Sequence, residues 1–382
     1  MSARVTLVLA LLGGCFKPSP TEGFACGPDR WCPDPLSCAA DNTCRSKDVD
    51  DPGDGGPGVE GLPPGPANVA FVTSMTYTPL QVAGVAGADA ICTALGAGIG
   101  KPGHYVAWLS TVAAPAAQRL GGASGWRRTD GQPFARSKQD LLAGRILYPL
   151  RRDENGQEVL GDVMTGTVGD GSATENCLEL TSGSSTELIL LGTSDGGTNR
   201  WTNTSEGACN LAYHMYCLQA DTSTTVESPS TGSLRAFLSS PFTPGGGGIG
   251  SADTLCMSDA AANGIPGEFR AFLSTTGNAA TVRVTSTGAP WVRVDEVETT
   301  TNFFAYEGGI SVTADGTYLD VPVYSGAPNP DQKSASFAES CNDWTGGTTA
   351  VTGTSARAIR GEAFGGSSGG CGATRVYCLE KR

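Results

Sequence analysis

Two stretches of this 382-residue chain, 68–220 and 234–380, carry one pattern of cysteines, and that repeat limits the folds open to it more than any other feature. Cys92 to Cys177 and Cys256 to Cys341 are both intervals of 85 residues. The next intervals are 32 and 8 in the first copy, against 30 and 7 in the second. Other side chains keep step. Phe71-Val-Thr-Ser74 matches Phe237-Leu-Ser-Ser240, and Ala88-Asp89 stands before Cys92 as Ala252-Asp253 stands before Cys256. Gly100-Lys-Pro-Gly103 matches Gly264-Ile-Pro-Gly267, and Val106-Ala-Trp-Leu-Ser-Thr111 matches Arg270-Ala-Phe-Leu-Ser-Thr275. Trp126, Arg128 and Asp130 match Trp291, Arg293 and Asp295, and Tyr216-Cys-Leu218 matches Tyr377-Cys-Leu379. Copies of roughly 150 residues are domains, since solenoid units run to about 20–50 residues.

Within each copy, Ala86–Leu95 and Ser251–Ala262 hold helix formers with apolar side chains on one face and run toward Gly-Pro signals, which predicts one helix near the start. Tyr105–Leu109 and Phe269–Leu273 read as short buried strands, and Tyr213–Gln219 and Arg375–Leu379 as closing strands. The 54 glycines and 23 prolines, with turns such as Asp153-Glu-Asn-Gly156 and Ala314-Asp-Gly316, predict a long irregular middle.

The thirteen cysteines divide into Cys15 alone, a set at Cys26, Cys32, Cys38 and Cys44, and four in each copy. Even sets in separate segments point to disulfides and an oxidising compartment. Spacing leaves three pairings for each set of four.

Arg4, the apolar run Val5–Leu12 and the small residues before Cys15 describe an export signal over residues 1–14. The run is far shorter than the roughly 20 residues of a membrane-spanning helix. Leu12-Gly13-Gly14-Cys15 resembles the bacterial lipobox, which implies lipidation of Cys15. Phe16 after it, rather than an aspartate, implies by the same resemblance an outer-membrane or cell-surface location. An ordinary secretory signal, with Cys15 left free, is the weaker reading because Cys15 alone belongs to no set.

Residues 15–44 form a cysteine-rich module too short to bury a core, so cross-links must hold it. Zinc is the rival reading, but zinc ligands usually come in closer pairs, and disulfides are favoured. Residues 45–67, with Asp48, Asp50, Asp51, Asp54 and Glu60 among Gly and Pro, read as a solvated tether, and the Ser/Thr-rich 221–233 as a second spacer.

Gly267-Glu-Phe-Arg-Ala-Phe-Leu-Ser274, then Glu339-Ser-Cys-Asn-Asp-Trp344 and Val376-Tyr-Cys-Leu379, resemble endostatin, a divergent C-type-lectin-like domain. Trp126-Arg-Arg-Thr-Asp-Gly131 and Asp153-Glu-Asn-Gly156 resemble relatives in bacterial surface lipoproteins. The resemblance covers the two copies, bounded at 68–220 and 234–382. It implies an α+β fold: two tandem C-type-lectin-like (endostatin-like) domains, mostly antiparallel sheet with few helices, after the disulfide-rich stalk. It also implies nested disulfides, Cys92–Cys217 around Cys177–Cys209 and Cys256–Cys378 around Cys341–Cys371.

Acidic residues outnumber basic ones 38 to 25, for a net charge of −13, and residues 68–221 and 234–382 carry −4 each. Neither has the basic surplus that nucleic acid requires, so none is expected as a partner. The two histidines, His104 and His214, stand where the second copy has Glu268 and Arg375, so no catalytic or zinc role is common to both copies. Endostatin's zinc histidines are absent. The nearest analogues of the calcium-lectin triplets are Asn329-Pro-Asp331 and Asn342-Asp-Trp344, the latter in reversed order. A loop turn and a buried tryptophan are preferred there, no cofactor is expected, and calcium is left to the second copy alone. No GxSxG elbow, HExxH helix or P-loop appears.

One charge asymmetry stands out. From 127 to 152 the first copy has Arg127, Arg128, Arg136, Lys138, Arg145, Arg151 and Arg152 against Asp130 and Asp140, a local +5. The matching 291–316 has Arg293 against Asp295, Glu296, Glu298, Glu307 and Asp315, or −4. Most charge runs are solvated faces; should the seven bases converge, they would hold an anionic ligand.

These readings predict a lipid-anchored surface protein that binds a glycan or another surface protein without catalysis. A hydrolase acting on envelope polysaccharide or peptidoglycan is the alternative. Cys15→Ser should release the protein from membranes. Unchanged membrane fractionation, with no lipid mass on the mature N-terminus, would count against the anchor.

Overall fold

The computed structural model describes residues 36–38, 44–46, 67–229, 233–284, 288–301, 303, 306–358 and 360–381. The chain divides into two units, Met1–Gly61 and Leu62–Arg382. In the first, strands β1 (Leu36–Cys38) and β2 (Cys44–Ser46) pair antiparallel with Cys38 opposite Cys44. Cys15, Cys26, Cys32 and the leader lie outside the described residues, as does most of the acidic tether.

In the second unit, β3 (Asn68–Val72) sets the plan of the first copy. Successive strand residues face opposite sides, so Ala70 and Val72 enter one core cluster while Phe71 enters another. Helix α1 (Gly84–Gly98) covers the Phe71 side. The strands β4 (Tyr105–Ala107), β5 (Trp126–Arg128) and β6 (Pro133–Ala135) follow, then β7 (Asp162–Met164), β8 (Leu188–Thr193), β9 (Ser205–Ala208) and β10 (Tyr216–Gln219). They form a five-stranded sheet of order β4-β10-β3-β5-β6 and a three-stranded sheet β7-β8-β9. Only β3 and β5 pair parallel; the other neighbours are antiparallel.

The second copy repeats this order. Strands β11 (Leu234–Leu238), β12 (Glu268–Ala271), β13 (Trp291–Arg293), β14 (Glu298–Thr300), β15 (Pro322–Tyr324), β16 (Thr349–Thr354), β17 (Ser367–Gly370) and β18 (Tyr377–Lys381) form sheets β12-β18-β11-β13-β14 and β15-β16-β17. Helix α2 (Gly248–Ala262) is the counterpart of α1. Fold class is therefore mixed α and β, mostly antiparallel, with few helices. Both helices extend a few residues N-terminal to the expected segments, and both end alike. Gly100 and Gly264 adopt φ of 71° and 67°. Lys101 N–H then bonds to Gly96 O at 2.9 Å, and Ile265 N–H to Ala260 O at 2.9 Å. This left-handed C-terminal motif relies on glycine, which has no Cβ to clash. The closing strand starts only at Tyr216, because Tyr213 bonds to Tyr77 instead and Met215 N–H bonds to Thr73 Oγ1.

Among the described residues, four disulfides join Cys92–Cys217, Cys177–Cys209, Cys256–Cys378 and Cys341–Cys371, the pairs that the endostatin resemblance implies. The first and third tie each helix to a central strand. Closing a loop of 125 residues contributes about 4–5 kcal/mol in the chain-entropy model. The inner pairs begin a feature the sequence hid: Cys177–Leu180 and Cys341–Trp344 are left-handed turns, with φ between 47° and 68° at all four residues of each. Such backbone costs about 1–2 kcal/mol per L-residue, so side chains must hold it. Asn176 Oδ1 accepts from Glu179 N–H at 3.0 Å, and Ser340 Oγ from Asp343 N–H at 3.1 Å. The Glu179 carboxylate accepts from Val112 N–H, and Asp343 accepts from Thr276 N–H at 2.8 Å and its hydroxyl at 2.7 Å.

The copies meet along a charged seam within this unit. Arg293 is fully buried and forks onto Asp295 at 2.9 and 2.5 Å. Its remaining donors reach Gly309 O and, across the seam, Ile146 O at 3.2 Å. Arg128, its counterpart, forks onto Asp130, lies 3.6 Å from Glu307 of the other copy, and stacks over Tyr148. Arg151–Glu307, Arg200–Asp320 and Arg357–Asp195 also cross, at 3.1, 2.7 and 2.6 Å. Leu147, Tyr148 and Val297 form a small apolar cluster among them. The stretch 221–229, expected as a spacer, is docked on the first copy: Val226 is buried, and Asn68 Oδ1 accepts from Asp221 and Thr222 N–H at 3.0 Å.

Two outcomes follow from these contacts. Asp343→Ala should lower stability by about 1–3 kcal/mol, since Thr276 loses both bonds, and thermal unfolding would show it. Burial alone would raise the Asp295 carboxyl, but Arg293 and the Tyr318 hydroxyl hold it below the ordinary carboxylate range. Its contribution is therefore present above about pH 4 and lost as pH falls through its lower folded pKa. Asp295→Asn should cost roughly 3–5 kcal/mol at neutral pH and weaken the acid dependence of unfolding; an unchanged acid profile would contradict this assignment.

Candidate functional site

The structure separates the seven bases rather than gathering them into one patch. Arg128, Arg136 and Arg151 reach across the seam, Arg136 donating to Asp295 O at 2.9 Å. Arg145 and Arg152 pair within the first copy, with Asp140 at 3.1 Å and Asp130 at 3.2 Å. Lys138 Nζ donates to Gly121 O. Arg127, like Lys138, has no carboxylate partner among the described residues; its Nη atoms donate to Gly131 O at 3.1 Å and Glu227 O at 3.2 Å.

Arg127 faces a groove of about 690 Å³, the volume of a small-ligand pocket. Alternation on β5 places it there. Trp126 belongs to the core on one face of the sheet and Arg128 is buried beside it, so Arg127 turns to the α1 face. The cavity is lined by Val69 of β3, by Ile99 and Lys101 beyond the end of α1, and by Thr129, Gly131 and the loop 154–156. Lys101 is placed by the left-handed helix end, one residue past Gly100. That position usually carries an apolar side chain packed back on the helix. Ile265 fills it so in the second copy, whereas Lys101 is exposed and has no carboxylate partner among the described residues. Glu154, the one carboxylate in the lining, accepts from Ser74 N–H at 2.9 Å and from the Ser74 hydroxyl.

The second copy closes the same place. Strand registers are identical: Val69 lies opposite Arg127 as Arg235 lies opposite Val292. Gly131 and Glu296 occupy the same turn, each donating its N–H to the buried arginine's carbonyl. Arg235 and Glu296 pair at 2.7 Å where the first copy has Val69 and Gly131. Glu296 does so at φ 68°, a left-handed conformation that a non-glycine residue adopts at some cost. What remains is a cavity of about 220 Å³ lined by Asn263, Ala314 and Asp315, counterparts of Ile99, Glu154 and Asn155, with Asp259 and Arg375.

The other candidates sit outside the groove. His104 is exposed. His214 Nδ1 contacts Thr73 O at 2.7 Å, and Arg375 makes the equivalent bond to Ser239 O, so both side chains tie the closing strand to the first. Asn329 bonds to Gln332, Asn342 to Thr345, and buried Trp344 donates to Ser274 O at 3.0 Å. Among the described residues, no cluster of three or more His, Cys, Asp or Glu is arranged to hold a metal ion. Lys101, Val69 and Gly131 were missed from the sequence. Their signal was present as disagreements between the copies at otherwise matched positions: Lys101 against Ile265, Val69 against Arg235, Gly131 against Glu296.

Compared with known proteins, the chain matches no family model and no curated protein.

Proposed function

We propose that this chain is an exported, lipid-anchored surface protein that acts as a non-enzymatic binding or adhesion module on two tandem C-type-lectin-like (endostatin-like) domains. Its ligand, a glycan or another surface protein, is taken by the first-copy groove. Four disulfides among the described residues support an oxidising location, and the lipobox-like Leu12-Gly13-Gly14-Cys15 supports attachment through Cys15.

One observation carries the reading. The copies agree in what holds the fold: sheet order, disulfides, the buried Arg–Asp forks. They disagree at the groove, where one copy has two cations without carboxylate partners among the described residues and the other has a filling ion pair. Residues that serve packing alone have no reason to diverge in that way, while a scaffold hosts function through its site.

Filling the first groove as the second copy does should remove binding. A Cβ at Gly131 meets nothing within 4 Å, so the double substitution Val69→Arg with Gly131→Glu has room, at the left-handed backbone cost that Glu296 bears in the second copy. On an array of glycans and envelope extracts, the full chain should retain a ligand that this variant loses. A variant that binds as well as the parent would refute the groove as the site.

A further inference from the structure

We infer that the first-copy groove holds a carboxylated saccharide, a hexuronate chain gripped through its carboxylates by Lys101 and Arg127. This rests on the binding reading above and adds the ligand's chemistry. In a protein of net charge −13, the groove presents an ammonium and a guanidinium, and the only carboxylate in its lining among the described residues is engaged by Ser74. Asp130 beside it is held by Arg128 and Arg152. A ligand acid therefore meets cations without displacing a protein acid.

Arg127 is oriented in advance by its bonds to Gly131 O and Glu227 O, which use two of its five N–H donors. A planar fork fixed in this way loses little entropy on meeting a carboxylate.

The remaining lining selects among acidic ligands. The floor strands have no free edge: β3 lies between β10 and β5, and β5 between β3 and β6. An extended acidic peptide, which gains affinity by adding a strand to an open edge, finds none here. Among the described residues no aromatic ring lines the cavity, so a neutral sugar finds no face there to stack on. Hydroxyl groups, in contrast, would find the exposed Asn155 amide and the Thr129 oxygen, whose own proton goes to Asp153 O. Gly131 and Gly156, at φ 86° and 78° with nothing within 4 Å of a would-be Cβ, let a sugar ring approach the backbone. The second copy has Ile265 and Val292 in place of both cations and should not bind.

The test is calorimetry of the full chain with an oligogalacturonate, its carboxyl-reduced neutral counterpart, and a polyglutamate peptide of equal charge. The uronate should bind, more weakly as salt rises; the reduced oligomer should not, and the peptide should bind at least about tenfold more weakly. Lys101→Gln and Arg127→Gln should each weaken uronate binding about tenfold with unchanged melting temperature, while Lys333→Gln on the second copy has no effect. Equal binding of the reduced oligomer, equal binding of polyglutamate, or indifference to both substitutions would overturn the proposal. If uronate fails but another array ligand is lost on Val69→Arg with Gly131→Glu, the ligand class falls and the binding reading stands. If filling the groove affects no ligand, both fall.

Discussion

Two guanidinium groups buried against each other's domain organise this molecule. Taking Arg128 and Arg293 out of water is costly unless every donor finds an acceptor. That demand fixes Asp130 and Asp295 two residues on, Tyr148 and Tyr318 as ring partners, and the loop carbonyls of Pro149 and Gly309. Arg293 completes its set with Ile146 O, and Arg128 lies beside Glu307, so each copy satisfies part of the other's buried charge. Among the described acids of 291–316, Glu307 is the one that meets the basic stretch 127–152 across this seam, through Arg128 and Arg151.

The groove is a by-product of the same strand. On β5 one arginine must point into the core side, and the period of two then sends its neighbour Arg127 to the opposite face. In the second copy that neighbour is Val292, fully buried, and Arg235 with Glu296 covers it. The scaffold is thus compatible with either state. A Val-Gly pair opens the floor and an Arg-Glu pair fills it, without change in strand order or disulfides.

Much of this was legible in the residues. Spacing showed two equal units, apolar runs placed both helices, and the glycines of Gly100-Lys-Pro-Gly103 and Gly264-Ile-Pro-Gly267 marked their ends. The left-handed turns at Cys177–Leu180 and Cys341–Trp344 were not, because nothing in Cys-Leu-Glu-Leu favours positive φ, and Asn342 and Asp343 favour it as single residues rather than as part of a run of four. Their conformation is imposed by a disulfide at one end and by carboxylates bonding to residues 67 positions away.

The repeat, the pattern of apolar and turn residues, and the positions of charge can all be read from the residues, since they depend on local spacing and side-chain chemistry. Which charges meet depends on how the strands and loops pack. Seven bases close in sequence were divided among the seam, local pairs and the groove, because strand alternation and burial send neighbouring side chains to opposite faces. Lys101, distant in sequence from all of them, became the partner of Arg127 because the end of α1 and β5 line the same cavity.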